Sequence, residues 1–411
     1  WSWSRGLGDV YKRQAYTIKG WGTPLAGHKD NHAGLMTKAQ MNSFKLKYGI
    51  SDGNEWNRFS DEKNNVELDK YIKNLPFQKA KHRKFQSKKV SVDENVFIKE
   101  TKISTQNAFG KILDQYAKNN TDFSQRILTT SPDVSVSTNL GPWINRKGLF
   151  SRKDSSDTFK DRKIPSAQKW IFSSQGQHIE LGIAEMNLFL MLGAAGLSHE
   201  FFGERLFPIG TVYDPFISRG LDAMNYACYQ DARFMIVGTP SGISLAPEGG
   251  AHQSIGTPLI GISQPGLLSF EPAFADELAL IMNYGFNYLQ DEAGGSIYLR
   301  LTTRSIDQPM REIDNELKNN IIKGGYWLKK PGPNPEVIIV YQGAVAIEAI
   351  ESTALLGEKF KNSGVLSITS SDKLFHEWKN QNSTSHIELL LECVPRDTSC
   401  LLYTSTSPRD Q

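Results

Sequence analysis

Cysteine is scarce in this chain, and so is net charge. The 411 residues hold three cysteines, Cys228, Cys393 and Cys400, with neither a CxxC spacing nor a disulfide framework. A reducing, cytoplasmic compartment fits that usage. Forty-seven Lys and Arg against 44 Asp and Glu leave +3, too little to argue for nucleic acid or an acidic surface as partner. No charge-free apolar run reaches the roughly 18 residues a membrane span needs, and no secretory signal pattern opens the chain. The expectation is therefore no nucleic acid and no membrane, with room for two or three domains.

Both ends lack any apolar period. Residues 1–14 (WSWSRGLGDVYKRQ) and roughly 399–411 resemble translated adapter sequence and are expected to lack packed contacts. On that reading the chain is an internal fragment of a longer protein.

Between the ends, the segment AYTIKG reads as a short strand before a Gly-rich loop carrying His28 and His32. Two loop histidines are either solvated or, in HKDNH, half of a metal site that no nearby carboxylate or thiol cluster completes. A helix over 37–48 starts at a threonine cap candidate, Thr37. Residues 51–102 are polar, with a basic run from Lys79 to Lys89 interleaved by Phe77 and Phe85, and read as an interdomain linker with helical pieces.

A second domain is expected over 103–312. STQNAFGKILDQYAKN has helical spacing behind a cap, and RILTTSPD reads as a strand ending at Asp133, which is either a turn residue or a ligand contact. Residues 145–175 are irregular. The stretch 178–258 then alternates helix, strand, helix, strand and a Gly-rich loop, APEGGAHQ. The segment 181–197 is apolar on almost every face, which predicts a buried helix. Glu185 lies within it, and an ionised carboxylate there needs a partner, from the protein or from a ligand. GLLSFEPAFADELALIMNYGFNYL and GSIYLRLTTR add a strand, a long helix and a strand, so the fold class is α/β with a doubly wound parallel sheet. Residues 313–336 read as a linker, and 337–398 as the start of a third α/β domain cut short.

GIAEMN, followed by VYDPFISRGLDAM and PEGGAHQSIGTP, resembles the pyrimidine-binding domain of thiamine diphosphate enzymes of the transketolase superfamily. Within it, SFEPAFADE, TTR…QP and IIKGGYWL look most like the homodimeric E1 component of the pyruvate dehydrogenase complex; GIAE also occurs in deoxyxylulose phosphate synthases. Residues 15–50 would end the preceding diphosphate-binding domain, His32 matching its active-site loop. The resemblance implies pyruvate as substrate, acetyl transfer to the lipoyl domain of dihydrolipoamide acetyltransferase, and a homodimer with its site at the subunit interface. Glu185 would bond the aminopyrimidine ring nitrogen in a dry pocket. Tyr213 or Phe216 would stack on the ring, Tyr213 by preference, unless both are plain core. Asp133 would lie near the pyrimidine side. His252 would meet the substrate and move protons, with Glu248 beside it. That loop is one residue shorter than transketolase's EDGxTH. The family's Mg2+ and diphosphate motif, GDG followed by an asparagine, is absent, so this piece alone is expected to be inactive and to hold no metal ligand.

Overall fold

A computed structural model describes residues 16–403 apart from 58–64, 76–77, 79–86, 95, 153–161, 164–167, 243, 245–248, 358 and 381–382. Residues 1–14, most of the basic run, Phe77, Phe85 and Glu248 therefore lie outside the described residues. The chain divides into two compact units, residues 1–84 with 200–202, and 85–199 with 203–411.

Among its described residues the first unit carries the α-helices α1 (Lys38–Lys47) and α2 (Asn65–Lys73), neither of which buries a residue. Thr37 caps α1 as expected: its hydroxyl accepts from Gln40 N–H at 3.2 Å and the Gln40 side chain returns a bond to Thr37 N–H at 2.8 Å. The strand expected in AYTIKG does not form among residues 16–20. Instead Asn31 donates to the carbonyls of Lys19 and Leu25, both at 2.7 Å, and Gly20 at φ +70° folds the segment into a compact loop.

The second unit is built on eight strands: β2 (Ile127–Ser131), β3 (Leu149–Phe150), β4 (Phe172–Ser173), β5 (His178–Glu180), β6 (Phe207–Val212), β7 (Met235–Gly238), β8 (Leu267–Phe270) and β9 (Ser296–Arg300). Their order is β4-β3-β5-β2-β6-β7-β9-β8, and every pairing is parallel. A separate two-residue strand, β1 (Lys102–Ile103), pairs with β10 (Ile306–Asp307). From β2 the chain first builds toward β4 and then crosses to β6, so the topological switch point lies between β2 and β6. Open α/β sheets bind ligands at the carboxyl edge of such a point.

The central strands β6, β7 and β9 are buried on both faces because helices cover both. α3 (Thr105–Asn119) is held at its start by the Ser104 hydroxyl, which accepts from Asn107 N–H at 3.1 Å. With α8 (Ala275–Tyr288) it packs against Ile209, Met235, Val237, Ile297 and Leu299. The opposite face is covered by α5 (Glu185–Gly196) and α6 (Leu221–Tyr229), packed on Val212, Ile236 and Tyr298. The alternation of Met235, Ile236 and Val237 between faces is the period of two that a strand imposes. Helices α5 and α6 approach closely at Gly193, where an added Cβ would come within 3.1 Å of the Ala227 methyl.

Several boundaries differ from the sequence reading. Val90, Val92 and Val96 are buried in the core beside α8, so the second domain begins before residue 103. The stretch 145–175 carries α4 (Gly141–Lys147) into β3 and returns through β4. The expected linker 313–336 is structured: α9 (Asn315–Lys323) leads into β11 (Gly325–Lys329), an edge strand antiparallel to β13 (Gly364–Ile368). That second sheet runs β11-β13-β12-β14, with β12 (Val337–Gln342) at the expected place. Its last strand, β14 (Ser399–Tyr403), pairs in parallel with β12 from Val337↔Ser399 to Tyr341↔Tyr403, where no packed contact was expected. The apolar run CLLY is a strand former, and the open edge of β12 offers it a full ladder. Finally, α5 starts at Glu185 rather than at 181 and is buried on one side only; Met186 and Leu190 face out.

The densest part of the core is an aromatic cluster. Phe286 of α8 meets Tyr116, Phe123 and Phe207 at ring separations of 5.9, 4.9 and 5.7 Å, all edge to face. Phe286→Ala should cost about 3–5 kcal/mol in urea unfolding of this unit. A loss below about 1 kcal/mol would show that the cluster collapses into the space without penalty.

Candidate active site

The carboxyl edge of the large sheet gathers residues from five elements. Glu180 ends β5 and Glu185 opens α5; Tyr213 follows β6 directly; the loop after β7 carries His252; Asp133 sits two residues past β2. Glu185 is 8% exposed, and its carboxylate accepts from Arg219 Nη1 at 2.6 Å. The same guanidinium lies over the Phe216 ring, its Cζ 3.6 Å from the centroid. A planar cation is thus held between a buried carboxylate and an aromatic face.

Three rings stand beside this pair. Tyr213, Phe216 and His252 form a triangle with separations of 5.8 Å (Tyr213–Phe216), 5.5 Å (Tyr213–His252) and 5.4 Å (Phe216–His252). All three are part-buried rather than core. Sequence reasoning named these residues without naming Arg219, which lies 34 residues from Glu185 and carries no local signal of the pairing.

Beneath the rings lies a buried polar network. Asp214, fully buried, accepts from the Ser254 hydroxyl, from Thr257 Oγ1 at 2.5 Å, from the Tyr298 hydroxyl, and from Arg300 Nε and Nη2, each at 3.3 Å. Arg300 Nη1 pairs with Glu271. Burial works against the Arg300 charge, but Glu271 and Asp214 outweigh it and hold the guanidinium protonated. Burial also pushes the Tyr298 phenol well above its ordinary value, with the Asp214 charge adding to it. The signal for this network was available in principle: a charged residue ending the strand SIYLR, with Ile, Tyr and Leu before it, demands a partner.

Asp133 lies on the exposed rim at φ +65°, its N–H donating to Glu180 Oε1 at 2.8 Å. Burial pushes the Glu180 carboxyl up, but bonds from His178 and Ser135 outweigh it and hold the carboxyl below its ordinary value. His32 belongs to the first unit, where its Nδ1 lies 3.0 Å from Lys19 Nζ and the residue is exposed. Among the described residues no group of three or more His, Cys, Asp or Glu could hold a metal ion, His28 and His32 included. No described helix is long and apolar enough to cross a membrane.

A doubly wound parallel sheet with these groups at its carboxyl edge is a transketolase-type fold. It is similar to transketolase from Leishmania mexicana (TM-score 0.65, 14% identity, covering 94% of this chain and 54% of that one). Transketolase from Campylobacter jejuni gives a TM-score of 0.61 at 16% identity, covering 95% and 55%. The family model described as the pyruvate dehydrogenase E1 component middle domain matches residues 87–309, more than half of the chain, which therefore belongs to that family. The pyruvate dehydrogenase E1 component of Escherichia coli K12 is 25% identical over 279 residues, covering 66% of this chain and 31% of the relative. That of Mycolicibacterium smegmatis is 28% identical over 260 residues, covering 61% and 28%. The chain thus spans about a third of the length of the curated relatives it matches.

The network gives a test by pH. Burial pushes the Glu271 carboxyl above its ordinary 4.5; Arg300 opposes the shift and Asp214 adds to it. The folded chain then keeps this proton after the unfolded chain has lost it, so the Glu271 contribution to stability falls as pH rises above 4.5 and levels off beyond the folded value. Glu271→Gln cannot lose a proton. Its stability relative to the parent should therefore improve as pH rises above 4.5. A flat difference curve in calorimetric unfolding would refute the assignment.

Proposed function

We propose that this chain carries the pyrimidine-binding part of a thiamine diphosphate-dependent pyruvate dehydrogenase E1 component. The whole protein would decarboxylate pyruvate oxidatively and pass the acetyl unit to the lipoyl group of a dihydrolipoamide acetyltransferase. The carrying observation is the Arg219 guanidinium, a flat donor bonded to Glu185 at 2.6 Å and stacked on Phe216 at 3.6 Å. An aminopyrimidine needs the same two things, a carboxyl for its ring nitrogen and an aromatic face, so these residues fit the group.

When bound, thiamine diphosphate supplies the electron sink for cleavage beside a carbonyl. Glu185 holds or shares the proton at the pyrimidine ring nitrogen, in a recess where a hydrogen bond is stronger than in water. Phe216 and Tyr213 orient the ring by stacking. His252, on a loop opening with Gly249 at φ +91°, faces the substrate end and moves protons. Asp133 lines the pyrimidine side of the rim; Glu248 and His32 take the roles their matched positions imply. Among the described residues no group of three or more His, Cys, Asp or Glu gathers that could hold Mg2+. Around Glu185, the outward side of α5 and α6 exposes apolar side chains beside the polar Asp222 and Asn225: Leu190 is 58% and Tyr229 84% exposed, and Ile183, Met186 and Tyr226 are exposed too. Such a patch supports a second copy packed over it in a homodimer. Ketol transfer of the transketolase type is the competing reaction, and an assay of lipoamide-dependent acetyl transfer against ketol transfer separates the two.

In the intact enzyme, Glu185→Gln should lower turnover by about 10²–10⁴-fold with the melting temperature unchanged. Glutamine keeps the shape but cannot share an acidic proton. Exchange of the cofactor's thiazolium proton is measured on the same variant, and exchange at the parent rate would sink the assignment.

A further inference from the structure

We propose that Asp214 is a positioning residue which locks the His252 loop to the Tyr213–Phe216 turn, so that the three rings stand as one preformed recess. The geometry is specific. Asp214 follows Tyr213 directly and precedes Phe216 by two residues, while its partner Ser254 follows His252 by two. Thr257, at the N-cap of α7 (Pro258–Ser263), holds the same oxygen at 2.5 Å. Ser254 also closes its own loop: its N–H donates to Gly242 C=O and its hydroxyl accepts from Gly242 N–H, both at 3.0 Å. One carboxylate therefore fixes both segments that carry the rings, and Tyr298 and Arg300 anchor it to β9.

A buried charge is a poor device for stability alone, because an apolar replacement of equal volume is often as stable or more so. What a carboxylate offers here is several directional acceptor positions at one point. The fold also reserves the space. A Cβ at Gly238, the last residue of β7, would collide with Asp214 Oδ1, so the strand ends in the one residue that admits the carboxylate.

The inference deepens the cofactor reading and rests on it only for what the recess receives. Hydrogen exchange, read peptide by peptide on the full chain without cofactor, tests the coupling itself. Asp214→Asn, Gly238→Ala and Ser254→Ala should each speed exchange over residues 249–257 by about tenfold, the loss expected for a bond to a charged group. Ser254→Thr, which keeps the hydroxyl, should restore the parent rate. Helix α3, on the other face, should be unaffected. Parent-like exchange over 249–257 in Ser254→Ala, or an equal rise in α3, would overturn the proposal; should Asp214→Asn not fold, the Ser254 pair decides. Thiamine diphosphate with Mg2+, titrated by calorimetry into the intact enzyme carrying the same substitutions, should bind the loosened variants about tenfold more weakly than the parent. If the parent binds none while the loop still loosens selectively, the positioning role stands and the cofactor reading falls.

Discussion

Arg300 is a guanidinium 2% exposed at the carboxyl end of a fully buried strand, and the upper edge of the sheet is arranged around it. A charge in that position cannot be left without partners. Asp214 comes from the turn after β6 and Glu271 from the end of β8, so the requirement draws together segments on either side of β7 and β9. Asp214 then brings Ser254 and Thr257 with it. The ring recess follows from where these loops are forced to meet.

The same constraint reaches the second sheet. Glu271 N–H donates to Thr369 C=O at 2.8 Å, Ser269 N–H donates to Asp372 at 2.8 Å, and the Ser370 hydroxyl donates to Ser269 C=O at 2.6 Å. Gly343, at φ +64°, leaves room for the Glu271 carboxyl where a side chain would collide with it. Burial pushes the Asp372 carboxyl up, against the Ser269 bonds that favour its charge. The turn after β12 is therefore packed on the polar network that underlies the candidate site. Disturbance at one is expected to be felt at the other, because contacting groups in a shared network do not act additively.

Much of this was legible. The alternation of strand segments with helix segments gave the strands from β6 to β9 and the helices between them, since both faces of a parallel sheet must be covered. The order GIAEMN, VYDPF, PEGGAH gave Glu185, Tyr213, Phe216 and His252 and the edge they share. What was not legible depends on long-range partners. Arg219 looked like any exposed arginine until the fold set it over Phe216. GYWLK looked like a linker because its strand pairing is to β13, some 40 residues on. The apolar Glu185 helix looked wholly buried, because composition reports hydrophobicity and not which neighbour covers it.

Two arginines meet carboxylates at this edge, and their surroundings give them different freedom. Arg300 is enclosed and paired with both Asp214 and Glu271, and loss of both partners would strand a buried charge, a cost of several kcal/mol. Arg219 is 52% exposed, so water can take over its solvation when it leaves Glu185. Exposed pairs are worth about 0–1 kcal/mol, and this one lies nearer that limit on the arginine side only. Glu185, with its side chain 10% exposed, is the member that needs a partner. An incoming flat donor that stacks on Phe216 can replace Arg219 at Glu185 without leaving either charge buried and alone. The framework under the rings is thus fixed by one arginine, while the contact a ligand must displace is the cheap one.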